Sequence, residues 1–162
     1  MSARPDSIRY GVVSTDDQRA MSGLDFVQAI VDGKLPHNAM AETLGYWIAS
    51  VSPGRVMIMA QPSTAHFNPA GTVHGGLSAT LLDSCMGLAV HSTLEKGWGQ
   101  TTLEFKISFT RPITTDTGLI TAEGNVLSRG RRAGTADGRL TDAQGRLLAH
   151  GTTTCLIFEH QP

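Results

Sequence analysis

Between Leu77 and Leu94 the chain runs through apolar, helix-forming residues whose only charged member, histidines apart, is Asp83. A lone carboxylate in apolar surroundings costs free energy unless it is paired or put to use. Asp83 is therefore the first candidate for chemistry, as an acid/base group or a nucleophile. Just ahead of it, Asn68-Pro-Ala-Gly-Thr-Val-His74 leads into Gly75-Gly76 at the helix start. Backbone N–H groups there have no intrahelical partner and lie at the positive end of the helix dipole. Two residues without side chains let a ligand oxygen come close, which suits an oxyanion or a polarised carbonyl. Each of these residues also has a plainer use. The glycines make a tight turn, Asn68-Pro69 initiates one, and His74 can cap loop carbonyls. Asp83 has no such alternative, because a solvated helix face conflicts with its neighbours.

Gly76 and Asp83 are seven residues apart, which is about 10 Å along one helix. A reacting carbonyl has to lie within roughly 3–3.5 Å of both its attacker and its oxyanion donor. One helix cannot supply both groups to one atom. Two copies running antiparallel would bring each Asp83 to the other's glycine turn, so the spacing points to a dimer with composite sites.

Arg129-Gly130-Arg131-Arg132 is the densest basic cluster of the chain. Three guanidiniums on a turn suit a phosphate group, although a solubilising turn has the same composition. The pattern is not a nucleotide-hydrolase phosphate loop, since G-x-x-x-x-G-K-S/T is absent. Other signals lead nowhere. Ser78 and Ser84 stand in no G-x-S-x-G elbow, Cys85 falls on the apolar side of the helix, and Trp47 and Trp98 read as packing or dimer contacts. The six histidines show no paired metal-ligand spacing, so no metal is expected.

The elements that must position these residues follow from periodicity. The 162 residues, 40% hydrophobic and 17% charged, read as one globular chain with a sizeable core. A net charge of -1 offers no basic field for nucleic acid or anionic lipid. The start, Met-Ser-Ala-Arg-Pro-Asp, has no apolar leader, and two cysteines make no disulfide framework, so a cytoplasmic location is expected. Residues 1–20 read as polar and irregular. Ser22 opens a short helix with Leu24, Val27, Ile30 and Val31 on one face. Residues 42–51 and 55–61 read as strands around the Ser52-Pro53-Gly54 turn. Leu77, Leu81, Leu82, Cys85, Met86, Leu88, Ala89 and Val90 span an arc of roughly 220°, so the long helix is wrapped by other elements. Thr80, Asp83, Ser84, Gly87 and His91 fill the remaining stripe. Leu103, Phe105, Ile107 and Phe109 then alternate with Thr102, Glu104, Lys106 and Ser108 as a half-buried strand. Residues 118–128, 132–141 and 146–158 complete four strands, the last two joined by a hairpin at Asp142–Gly145. Helix, two strands, long helix and four strands give an α+β fold, an antiparallel sheet around a long central helix.

The combined pattern Asn68-x5-His74-Gly75-Gly76-x6-Asp83, followed by Leu103-x-Phe105-x-Ile107-x-Phe109-x-Arg111-Pro112, resembles the hotdog-fold acyl-CoA thioesterases, and among them the phenylacetyl-CoA thioesterase group. The resemblance spans roughly residues 42–158. It implies a hotdog domain over 41–160 behind an amino-terminal extension, 1–40, that carries a short helix. It also implies that Asp83 activates water or attacks the thioester, that the Gly75-Gly76 turn polarises its carbonyl with His74 supporting the turn, and that Asn68 contacts the thioester or the water. Thr102, or else Thr101, falls where relatives place a water-positioning hydroxyl. Some relatives have a Thr one turn after the acid, where this chain has Gly87. Arg129, Arg131 and Arg132 fall in the loop that meets the coenzyme A phosphates. The implied activity is hydrolysis of a small acyl-CoA, with aryl acyl groups included, by a homo-oligomer (a dimer or dimer of dimers). No nucleic acid, membrane or cofactor is implied beyond the coenzyme A of the substrate. Two rival readings are a hotdog dehydratase or hydratase, whose H-x-D arrangement is absent, and a non-catalytic acyl-CoA-binding protein, against which Asp83 argues.

Overall fold

Side-chain caps set where the helices begin. Ser14, Ser22 and Asn38 each accept a hydrogen bond from the N–H three residues on, opening α1 (Thr15–Ala20), α2 (Gly23–Val31) and α3 (Ala39–Leu44). The structure, a computed structural model, describes residues 7–160. The Met1–Asp6 segment, and the leader reading with it, lies outside them. Two helices are additions to the expected order. Residues 15–20, read as irregular, form α1, and residues 42–44, read as the start of a strand, belong to α3. The reason in each case is local. Ser14 and Asn38 satisfy the first free N–H groups, and Gly45, at φ 65°, ends α3 in a left-handed conformation that its neighbours would resist.

The strands follow as β1 (Tyr46–Ser52) and β2 (Arg55–Ala60), then α4 (Gly75–His91), then β3 (Trp98–Phe109), β4 (Ile120–Arg129), β5 (Ala133–Asp142) and β6 (Leu147–Glu159). All six make one antiparallel sheet in the order β1-β2-β4-β5-β6-β3. The expected α+β architecture holds: α4 lies across one face of this sheet, its Leu81, Leu82, Cys85, Met86, Ala89 and Val90 fully buried. Among the described residues, no helix is long and apolar enough to cross a membrane.

Glycines in the strands decide how close α4 comes. A Cβ at Gly134 would stand 2.7 Å from Val90 Cγ1, and one at Gly138 would stand 2.9 Å from Met86 Cγ. At Gly124 it would collide with the Cys85 carbonyl of the helix backbone. The far end of α4 is tied down by Ser92, whose Oγ donates to Ala89 O at 2.7 Å and accepts from Gly54 N–H at 2.9 Å, in the β1–β2 turn. Helix α2 packs on β1 and the end of α4, where the rings of Phe26 and His91 meet edge to face at 5.2 Å. His37 anchors the chain between α2 and α3, its Nε2 accepting from Ile48 N–H at 3.2 Å.

Gly124→Ala is expected to destabilise the protein by about 1–3 kcal/mol or more, because the obstacle is helix backbone and not a side chain that can turn away. Gly54→Asn, at a turn with φ 76°, is expected to cost far less. Chemical denaturation midpoints of the two variants check the difference.

Candidate active site

Helix α4 begins where the loop before it runs out of partners. His74 is its N-cap, and its Nδ1 accepts from Gly76 N–H at 2.8 Å. That bond requires Nδ1 to be unprotonated, so the ring acts as an acceptor at this nitrogen. His74 O takes the Leu77 N–H at 3.0 Å, while the Gly75 N–H has no hydrogen-bond partner among the described residues. Of the two glycines expected to polarise a carbonyl, Gly75 therefore offers the open donor and Gly76 is held by His74. Gly75 opens onto a surface depression of about 470 Å³, which Ser78, Phe109, Arg111 and Ile113 also line. The Phe109 ring covers Gly75 so closely that a Cβ there would come within 3.0 Å of it.

Asn68 is not brought to this opening. Its Oδ1 accepts from Ala70 N–H at 2.9 Å and Thr72 N–H at 3.3 Å, and its Nδ2 donates to Thr72 Oγ1 at 2.9 Å. The side chain closes its own loop, the turn-forming use that Asn-Pro allows. His74 is held separately, its N–H donating to His66 O at 2.7 Å.

Asp83 is half-buried two turns into α4, and Thr102 Oγ1 donates to its Oδ1 at 2.9 Å. Among the described residues no other side chain or N–H bonds the carboxylate, so Oδ2 is left to accept from a ligand. The alternation of β3 places Thr102 on the face opposite Phe105, Ile107 and Phe109, yet both sets face α4. The register explains how. Strand β6 keeps one phase, with Ile157, Cys155, Thr153, Gly151 and Ala149 inward, and their partners on β3 are Gln100, Thr102, Phe105, Ile107 and Phe109. The shift between Thr102 and Glu104 is a bulge that exchanges the two faces at Leu103. This corrects the expected half-buried strand. Leu103 is 60% exposed, Thr102 is inward beside the acid, and Thr101 is exposed. No glycine or proline marks the bulge, which is why periodicity missed it.

The structure keeps the remaining candidates apart from the acid. Arg129, Arg131 and Arg132 are exposed at the β4–β5 turn, and none forms an ion pair among the described residues. Arg131 and Arg132 line a depression of about 460 Å³ with Trp98, Leu156, Ile157, Phe158 and Glu159. Arg132 O accepts from Ile157 N–H at 2.9 Å, and Ile157 pairs with Gln100. Two strand steps, about 7 Å, separate that point from Thr102. Burial pushes the Cys85 thiol far up, which keeps it a protonated core residue. Burial, helped by His160, pushes His91 down to about 4, so at neutral pH it is an uncharged packing group.

A carboxylate with one oxygen held by a hydroxyl and the other open is suited to accepting a proton from water. An uncapped N–H at a helix start is suited to a developing oxyanion. Comparison with known proteins identifies the family. A sequence profile described as thioesterase superfamily matches residues 70–149. Acyl-coenzyme A thioesterase 13 of Homo sapiens is 31% identical over 108 residues, covering 66% of this chain and 76% of that protein. The crystal structure of a phenylacetic acid degradation-related protein from Ralstonia eutropha JMP134 superimposes with a TM-score of 0.73 at 32% identity, over 81% of this chain and 98% of that one. The PaaI protein of the E. coli phenylacetic acid degradation operon shares the fold, with a TM-score of 0.74 at 21% identity over 88% of this chain and 97% of that one. With its fold, its glycine turn and its helix-borne acid in place, this chain belongs to the thioesterase superfamily and is a hotdog-fold thioester hydrolase.

Proposed function

We propose that the chain hydrolyses small acyl-CoA thioesters, aryl acyl groups among them, and that Asp83 is the general base. The carrying observation is the Thr102–Asp83 hydrogen bond, which fixes one carboxylate oxygen and leaves the other open in an otherwise apolar helix. Water gives a proton to Asp83 as its oxygen attacks the thioester carbon. The carbonyl electron pair moves to an oxyanion opposite the Gly75 N–H. On collapse the thiolate leaves and takes up the proton that Asp83 holds. Arg129, Arg131 and Arg132 receive the phosphates of coenzyme A, which enters as part of the substrate. The human acyl-coenzyme A thioesterase and the Ralstonia phenylacetic acid degradation-related protein support the acyl-CoA and aryl parts of this reading.

The site is shared between two copies in this reading, Asp83 of one chain facing the Gly75-Gly76 turn, His74 and the Asn68 loop of the other. The separation of about 10 Å along α4 supports it, given that both groups act on one carbonyl. Strand β3 supports it, since one of its edges is unpaired and its Leu103, Phe105 and Phe109 are 60%, 41% and 59% exposed. Such an edge invites a second copy.

Asp83→Asn is expected to stay folded and to lose turnover by about 10²-fold or more; thiol release over a panel of acyl-CoA esters measures it. Mixing Asp83→Asn with Gly75→Val subunits, each inactive and folded, should restore activity toward half per heterodimer once mass spectrometry shows exchange. If complete exchange restores nothing, each chain builds its own site.

Thr102→Val should lower kcat by about tenfold with little change in KM, while Thr101→Val leaves both near wild type. Equal behaviour of the two variants would remove the hydroxyl's role.

Arg131→Ala with Arg132→Ala should raise KM for CoA esters and leave pantetheine esters, which lack the nucleotide phosphates, nearly unaffected. An equal effect on both would reject phosphate binding.

A further inference from the structure

We infer that Gln100 is a further catalytic residue, its carboxamide holding the water that Asp83 deprotonates; this rests on the general-base reading above. Two independent observations carry it. The first is place. Gly87 lies one helical turn after Asp83, and a Cβ there would stand 3.3 Å from Gln100 Nε2 and 3.7 Å from Thr102 Oγ1. The carboxamide thus fills the notch that Gly87 leaves in α4, on the inner face of β3 beside the Thr102–Asp83 pair. The second is an unmet demand. Gln100 Oε1 is shielded from solvent with no hydrogen-bond partner, and Nε2 bonds no group of the described chain.

A half-buried amide that satisfies neither end is unfavourable for folding, and an apolar side chain of the same length would fill the space at less cost. What the glutamine supplies, and an apolar residue would not, is an N–H donor next to the acid. A water between the carboxamide and Asp83 would accept from Nε2–H and give one proton to Asp83 Oδ2. Two of its four hydrogen-bonding directions are then fixed, and a lone pair remains for the thioester carbon. Water loses its proton to Asp83, the new O–C bond forms, and the carbonyl pair moves to oxygen. Gln100 gains and loses no proton in the step. It lowers the entropy cost of holding the nucleophile in line, so its effect belongs in kcat.

The test compares Gln100→Met, Gln100→Glu and Asp83→Asn in the full chain, with thiol release from one well-hydrolysed acyl-CoA and thermal melting of each variant. For Gln100→Met the expected result is an unchanged or higher Tm, KM within about twofold, and kcat lower by about tenfold or more. For Gln100→Glu a second carboxylate beside Asp83 should move the acid limb of the kcat–pH profile upward. Restoring a polar group to the same notch, Gln100→Ala with Gly87→Ser, should recover part of the kcat lost by Gln100→Ala alone. A Gln100→Met enzyme with kcat within twofold of wild type overturns the inference. So does a loss of kcat that follows a loss of Tm, with the Gln100→Glu profile unmoved. If Asp83→Asn is inactive while Gln100→Met is fully active, only the role of Gln100 falls. If Asp83→Asn keeps its activity, the general-base reading itself falls.

Discussion

The close approach of α4 to the strands is the constraint on which the rest of the molecule depends. Gly124 lies against the helix backbone at Cys85, where a side chain would push the helix away from the sheet, and Gly134 and Gly138 lie tight under the Val90 and Met86 side chains. With backbone against backbone, α4 cannot roll about its axis without a clash, because packed interiors have no spare volume. The helix face turned to the sheet is therefore fixed, and so is the direction of every residue on the other side. Asp83 points where it does because glycines on β4 and β5 leave α4 no alternative. Burial of Leu81, Leu82 and Met86, each worth about 1.5–3 kcal/mol, offsets the cost of keeping a carboxylate half out of water.

Strand β3 has to meet two demands that an ideal strand could not. It pairs with β6 along its whole length, and it must also present a hydroxyl to Asp83 and an aromatic ring to Gly75. With a side-chain period of two, Thr102 and Phe109 would face opposite ways. The bulge at Leu103 removes the conflict by spending one residue, and the strand's pairing with β6 survives on both sides of it. Its outward consequence is Leu103, an apolar side chain left at the surface of the unpaired sheet edge.

Along α4 the chemistry is laid out in order. The uncapped Gly75 N–H stands at the amino end, Asp83 and Thr102 at the middle, and the Arg131–Arg132 turn beyond Gln100 on the far side. In the proposed shared site, the thioester would sit at Asp83 with the other copy's Gly75 opposite it, and the phosphates would extend toward an arginine turn. The only carboxylate on α4 is at its middle, and Arg129, Arg131 and Arg132, which form no ion pair among the described residues, are clustered at the margin, where water still reaches them.

How much of this was legible beforehand depended on whether the cause was local. The long helix, its apolar arc, the cap at Ser22 and the turns at Gly54 and Gly145 follow from neighbouring residues. The singular position of Asp83 was visible for the same reason. Glu42-Thr43-Leu44 suits a strand only as the lead-in to the apolar stretch that starts at Tyr46, and the Asn38 cap with Gly45 makes it the end of a helix. The choice of Thr102 over Thr101, the inward position of Gln100 and the loss of Asn68 to its own loop were decided by tertiary structure. Each turns on the register of β3 against β6 or on hydrogen bonds across a loop. Sequence records which side chains are available, whereas which face of the strand they occupy is set by a bulge that exists only once the neighbouring strand and the helix are both in place.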